Sequence, residues 1–102
     1  MMVRYTPRAR RHLEDIAEFL VARNPDAARG IGERLREMIE LLAAFPEMGH
    51  AGALAETREM SVPGTPYLIV YRIEQSEEDR IVILGIYHGA QLRPGQERPR
   101  RR

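Results

Sequence analysis

Apolar residues recur along this chain with two different periods. Leu13, Ile16, Ala17 and Leu20 fall at i, i+3, i+4 and i+7, the spacing that lines one face of a helix. Ala28, Ile31, Leu35, Met38, Ile39 and Leu42 form a second stripe of the same kind. From Tyr67 onward the period shortens to two: Tyr67, Ile69, Tyr71 and Ile73 alternate with Leu68, Val70 and Arg72. Ile81 to Tyr87 is apolar on both faces apart from Gly85, which predicts the central, most buried strand. A short alternating run, Met2-Val3-Arg4-Tyr5, precedes the first helix and reads as a strand.

Punctuation sharpens these elements. Thr6-Pro7 and Asn24-Pro25 each pair a capping side chain with a proline at the first helical position, where its missing N–H has no intrahelical partner to lose. The first helix is therefore expected from about Pro7 to about Ala22. The second is expected to end at Phe45-Pro46, because the residue before proline is pushed out of the α region. Their short link makes them antiparallel neighbours. Gly30 and Gly32 each cost roughly 1 kcal/mol relative to Ala inside a helix, so at least one is expected to permit close helix approach. Gly49 to Glu56 reads as a loop and Thr57 to Val62 as a strand, with turns at Pro63-Gly64-Thr65-Pro66 and Ser76-Glu77-Glu78-Asp79. Such short turns imply antiparallel pairing. The expected class is α+β: an N-terminal strand, then an antiparallel helix hairpin packed on one face of a small antiparallel sheet.

Composition narrows the picture. At 102 residues the chain has room for one two-layer core. Residues 1–93 are expected to form that domain, and 94–102 a basic, disordered tail rich in Pro, Gly and Arg. Cysteine is absent, which removes disulfides and thiolate metal sites. No apolar run approaches the ~20 residues that span a bilayer, so no membrane role and a cytoplasmic location are expected. The net charge of +1 hides an asymmetry: residues 1–92 carry 11 Arg against 14 acidic groups, whereas the last ten residues carry five Arg against Glu97. All sixteen basic residues are Arg, which reflects composition more than a demand for guanidinium forks.

Candidate chemistry is sparse. His12, His50 and His88 lie far apart without paired-ligand spacing, so neither a metal nor any other cofactor is expected. His12 is expected on the solvated side of its helix and His50 in a loop. Gly30-Ile31-Gly32 sits inside a helical pattern, where it cannot cradle phosphate. His88 stands out: it directly follows a buried strand, beside Tyr87 and five residues before Arg93. It could move protons near neutral pH, or simply hydrogen-bond at the strand end. Arg58 and Arg72 on neighbouring strands could grip a phosphate. Tyr67 and Tyr71 share a face and could stack on bases, but core packing under the helices is the better reading. The Arg-rich terminus could bind nucleic acid or an acidic protein surface, or remain solvated.

In order and spacing these pieces resemble the RelE/ParE superfamily of toxins from type II toxin–antitoxin systems. The residues that carry the likeness are Tyr5-Thr6-Pro7 and Ala9 leading into Leu13 and Ile16, then Leu42, Pro46, Met48 and Gly49. They continue through Arg58-Glu59-Met60, Tyr67–Ile73 and Ile81–Gly89, and span about residues 3 to 93. The resemblance implies a cognate antitoxin that wraps the toxin and inhibits its activity, with operator DNA bound only indirectly through that antitoxin. It also implies growth inhibition and plasmid stabilisation by one of two routes. ParE-like members poison DNA gyrase by protein–protein contact without hydrolysis. RelE-like members cut mRNA on the ribosome without a metal. The RNase pattern has an Arg where this chain has Leu68, and no Lys is present, so the ParE-like route is preferred. The endoribonuclease alternative would use His88, Arg58 and Arg93; a non-toxic binding partner is a third reading. By the same resemblance Arg58, Tyr87, His88 and Arg93 are expected to meet the target, and Leu13, Ile16, Leu20, Leu35 and Ile39 the antitoxin.

Overall fold

A computed structural model describes residues 1–89. In chain order it contains β1 (Met2–Tyr5), α1 (Pro7–Arg23), α2 (Pro25–Ala44), β2 (His50–Ala51), β3 (Arg58–Ser61), β4 (Tyr67–Glu74) and β5 (Arg80–His88). Both helices start where their caps predict. Thr6 Oγ1 accepts the Ala9 N–H at 3.1 Å, and Asn24 Oδ1 accepts the Ala27 N–H at 3.1 Å. Asn24 is the whole link between the helices. Its own N–H closes α1 on Leu20 O at 2.7 Å while its extended backbone reverses the chain. Among the described residues, no helix is long and apolar enough to cross a membrane.

The five strands lie in the order β1-β5-β4-β3-β2. The expected antiparallel meander is present from β3 to β5, but β1 pairs with β5 in parallel, Met2 opposite Arg80 and Tyr5 opposite Ile83. The sheet is therefore mixed. A parallel neighbour needs a long crossover, and here the helix hairpin and three strands supply it. The middle strand is β4 rather than β5, although both are buried along most of their length. Part of the expected Gly49–Glu56 loop pairs as β2, which adds two residues to the β3 edge.

Both helices pack on one face of the sheet. Ala9 of α1 and Leu35, Met38, Ile39 and Leu42 of α2 meet Tyr67, Ile69 and Tyr71 of β4 and Ile81, Ile83 and Ile86 of β5. On β5 the core positions shift phase, because Val70 pairs with Gly85 while Tyr71 pairs with Ile83, leaving Leu84 as an extra residue. Such a bulge moves all following side chains to the opposite face. Ile86 thereby joins the core, and Tyr87 points to the helix-free face with Leu68, Val70 and Leu84.

Two expectations about individual residues fail. A Cβ on Gly30 or Gly32 would meet nothing within 4 Å, so neither glycine serves close helix approach. His12 is not a solvated side chain: its Nδ1 accepts the Ile86 N–H at 3.2 Å and its ring stands edge-on to Tyr87, centroids 4.9 Å apart. The reason lies in the sheet edge. β1 covers β5 only as far as Ile83, and groups of Thr6 and His12 continue the ladder beyond it. Thr6 N–H donates to Ile83 O at 3.1 Å, Thr6 Oγ1–H to Leu84 O at 3.1 Å, and His12 then satisfies Ile86.

Candidate functional site

Several apolar residues of α1 and α2 lie at the margin of the core, only partly buried, and border a groove. Leu13, Ile16 and Leu20 from α1 line it with Leu35 and Ile39 from α2, Tyr5 of β1 contributing from below; its volume is about 200 Å³. All five residues predicted for antitoxin contact thus share one surface feature. Leu35 and Ile39 also belong to the buried core, whereas Leu13, Ile16 and Leu20 remain partly open. Gly32 borders the same groove, and its missing side chain keeps that stretch clear.

The residues predicted to meet a target are spread out. Arg58 begins β3 opposite Tyr71, and His88 ends β5 opposite Tyr67. That is a separation of four residues along β4 and two strand spacings across, about 16 Å between Cα atoms. Tyr87 faces the opposite side of the sheet from both. Arg93 lies outside the described residues, as does the predicted tail.

Arg58 is engaged in holding the chain together. Its Nη1 donates to Gly49 O at 2.8 Å and Glu47 O at 3.3 Å, binding the turn after α2 to the sheet. Tyr71 secures the same turn from within: its hydroxyl donates to Pro46 O at 2.7 Å and accepts the Gly49 N–H at 3.0 Å. Burial pushes its phenol pKa above the ordinary value. Gly49 has no alternative here, since a Cβ would sit 2.5 Å from the Tyr71 hydroxyl. Arg58 and Arg72 do border a common hollow of about 570 Å³, together with Glu56 and Glu74. Arg72, however, donates to Glu74 Oε2 through Nε at 3.2 Å and Nη2 at 2.7 Å. That bond, with further help from Arg80 opposite, holds the Glu74 carboxyl below its usual pKa. Both guanidinium groups are thus engaged with groups of the chain itself.

His88 is exposed, with its ring edge-on to Tyr67 at 5.9 Å. Tyr67 and Tyr71 are core residues, as preferred over base stacking. Among the described residues no group of three or more His, Asp or Glu side chains gathers as metal ligands. His12 is the functional-looking residue that sequence reasoning misplaced. Its signal, a histidine six residues beyond a capping Thr at the end of an edge strand, acquires meaning only once the strand order is known.

The chain matches the family model described as the ParE toxin of the type II toxin–antitoxin system parDE over residues 3–93. It is 35% identical over 92 residues to the Sinorhizobium fredii protein named "Putative toxin Y4kP", covering 90% of this chain and 92% of that one. Among solved structures it is similar to one titled as the chromosomal ParDE system from P. aeruginosa, with TM-score 0.74, 21% identity and coverage of 86% and 95%. A YoeB/ParE toxin from Agrobacterium tumefaciens superposes with TM-score 0.58 at 18% identity, covering 86% of this chain and 98% of that one.

Proposed function

We propose, given that this chain belongs to the ParE toxin family of type II toxin–antitoxin systems, that it stops growth by gripping its target and that a cognate antitoxin neutralises it through the helix groove. The groove carries the second half of this reading. Five apolar side chains at helical spacing line one open channel, which suits the apolar face of a partner helix. Leu13, Ile16 and Leu20 are the partly open members, so a partner would complete burial that the chain alone leaves unfinished.

The action by contact is supported by what Arg58 and His88 do. A nuclease needs a proton-transfer group and phosphate-binding cations around one phosphodiester. Arg58 is bonded to two backbone carbonyls, Arg72 is paired with Glu74, and His88 stands about 16 Å from Arg58 by strand geometry. Contact with DNA gyrase, the mode known for ParE-like toxins, agrees better with these positions. The test is supercoiling of relaxed plasmid by purified gyrase with increasing amounts of this protein. Progressive loss of supercoiled product is expected. Normal supercoiling at excess protein, with transcript cleavage in translating extracts, would overturn the reading in favour of the nuclease.

The groove has its own test. Leu20→Glu places a charge on a partly open groove residue and is expected to weaken capture of the antitoxin by about 2 kcal/mol or more while the toxin stays folded. Pull-down with the product of the adjacent reading frame and circular dichroism of the variant measure the two together. Undiminished capture would remove the groove from the interface.

A further inference from the structure

The helix-free face of the sheet carries a second surface. Arg4 on β1, Val82 on β5 and Arg72 on β4 lie directly opposite one another across that face. Beside them is a trough of about 380 Å³, bordered by Leu84 and Tyr87 of β5, Leu54 of the loop before β3, Pro7 and Arg8 at the start of α1, and Arg72. Leu54 is 47% exposed. The trough exists because of the bulge at Leu84, which turns Tyr87 to the side that Leu84 already faces, and because of Gly85. A Cβ on Gly85 would lie 2.6 Å from the Tyr87 ring, so only glycine lets that ring fold back against the strand.

The charge around this apolar floor is positive. Arg4 and Arg8 are exposed, and neither has a carboxylate within ion-pair distance among the described residues. The first turn of α1 contains no acidic residue, so the positive end of the helix dipole adds to Arg8. Of the two carboxylates on the strands of this face, Glu74 is paired with Arg72 and Arg80. The other, Glu59, is only 3% exposed and accepts the Ala53 N–H at 3.3 Å.

These features select a partner. A second copy of this chain would bring Arg4 and Arg8 against their own counterparts, and the arginines of residues 93–102 would be repelled in the same way. A nucleic acid strand would want aromatic faces for stacking, but Tyr87 is 9% exposed, packed over Gly85 and against His12. We infer that the trough takes an acidic segment of a partner protein that also carries apolar side chains, its carboxylates meeting Arg4 and Arg8 and its apolar groups meeting Leu54, Leu84 and Tyr87. This goes beyond the groove-and-target reading and stands whatever occupies the groove.

The experiment is an NMR titration of the isotope-labelled full chain with four probes: a short peptide of mixed Asp, Glu, Leu and Phe, its Lys-for-acid counterpart, oligoglutamate, and an oligothymidine strand. Saturable shifts confined to the amides of Arg4, Arg8, Leu54, Leu84 and Tyr87 are expected with the first peptide. Oligoglutamate should bind more weakly and the Lys peptide not at all, with affinity falling as salt rises. The double variant Arg4→Glu/Arg8→Glu is expected to lose about tenfold or more in affinity. Leu54→Asp, on an exposed loop, provides the same loss by a different route should the double variant fold poorly. Tighter binding of the oligonucleotide, shifts only at the helix groove, or shifts that grow with protein concentration alone would each overturn the inference.

Discussion

Tyr71 shows how one residue can connect layers that are far apart in sequence. Its ring is fully buried between helices and sheet, and its hydroxyl answers two backbone groups of the turn after α2. Tyr71→Phe keeps the packing but leaves the buried Gly49 N–H and the Pro46 carbonyl without that partner. A loss of about 1–3 kcal/mol is expected in urea denaturation, with little change in the slope. His12 has a pH-dependent counterpart. Its Nδ1 must stay unprotonated to accept the Ile86 N–H. Burial, then Arg8, with a smaller contribution from Arg11, push its pKa down against the opposing pull of Asp15. The folded chain therefore holds fewer protons here than the unfolded one, so stability rises with pH through this window. The contribution is complete above the ordinary histidine pKa of about 6.5 and disappears as pH falls through the lowered folded value. Thermal melts from neutral to acid pH should thus fall more steeply for the native chain than for His12→Gln. Parallel curves would show that His12 does not titrate with folding.

At the scale of elements, the helices were legible because local chemistry specified their ends. Thr6-Pro7 and Asn24-Pro25 work within a few residues of themselves, and no tertiary contact is needed to interpret them. The hairpin from β4 to β5 was legible for the same reason. What stayed hidden was non-local. Nothing in Met2-Val3-Arg4-Tyr5 distinguishes a parallel from an antiparallel neighbour, since the partner lies almost eighty residues away. Gly32 was misread because its value is open space, which becomes visible only beside the groove; for Gly30 the structure gives no packing reason. The bulge was hidden by the uniformity of Ile81-Val82-Ile83-Leu84, where an extra residue leaves no mark in an unbroken apolar run. Of the candidate sites, the groove followed from helical spacing, whereas the trough depended on that bulge. Deleting Leu84 makes the point testable. It would remove the bulge yet leave Gly85 opposite Val70, Ile86 opposite Ile69 and Tyr87 opposite Leu68, so the core should hold while the trough loses one apolar wall. Gly85→Ala, which crowds the Tyr87 ring, is expected to cost about 1–3 kcal/mol. Near-ultraviolet circular dichroism of the tyrosines follows both variants: a changed spectrum is expected for Gly85→Ala, and a lost tertiary signal on deleting Leu84 would contradict the register described here.

Taken as a whole, the molecule presents two unlike surfaces on opposite sides of one sheet. The helix side offers an apolar channel, and the other side an apolar floor edged with guanidinium groups. Substitutions on one side should leave the other unaffected, because the sheet between them is tightly packed and the sites share no side chain. The parallel pairing of β1 with β5 has a consequence in time. β1 cannot find its neighbour until β5, almost eighty residues later, has been synthesised, so this pairing is among the last contacts to form. Until then Tyr5 has no fixed place beneath the helices and the channel lacks its base. A chain that has not yet made β5 therefore lacks the finished channel, which takes shape only when β1 docks beside it.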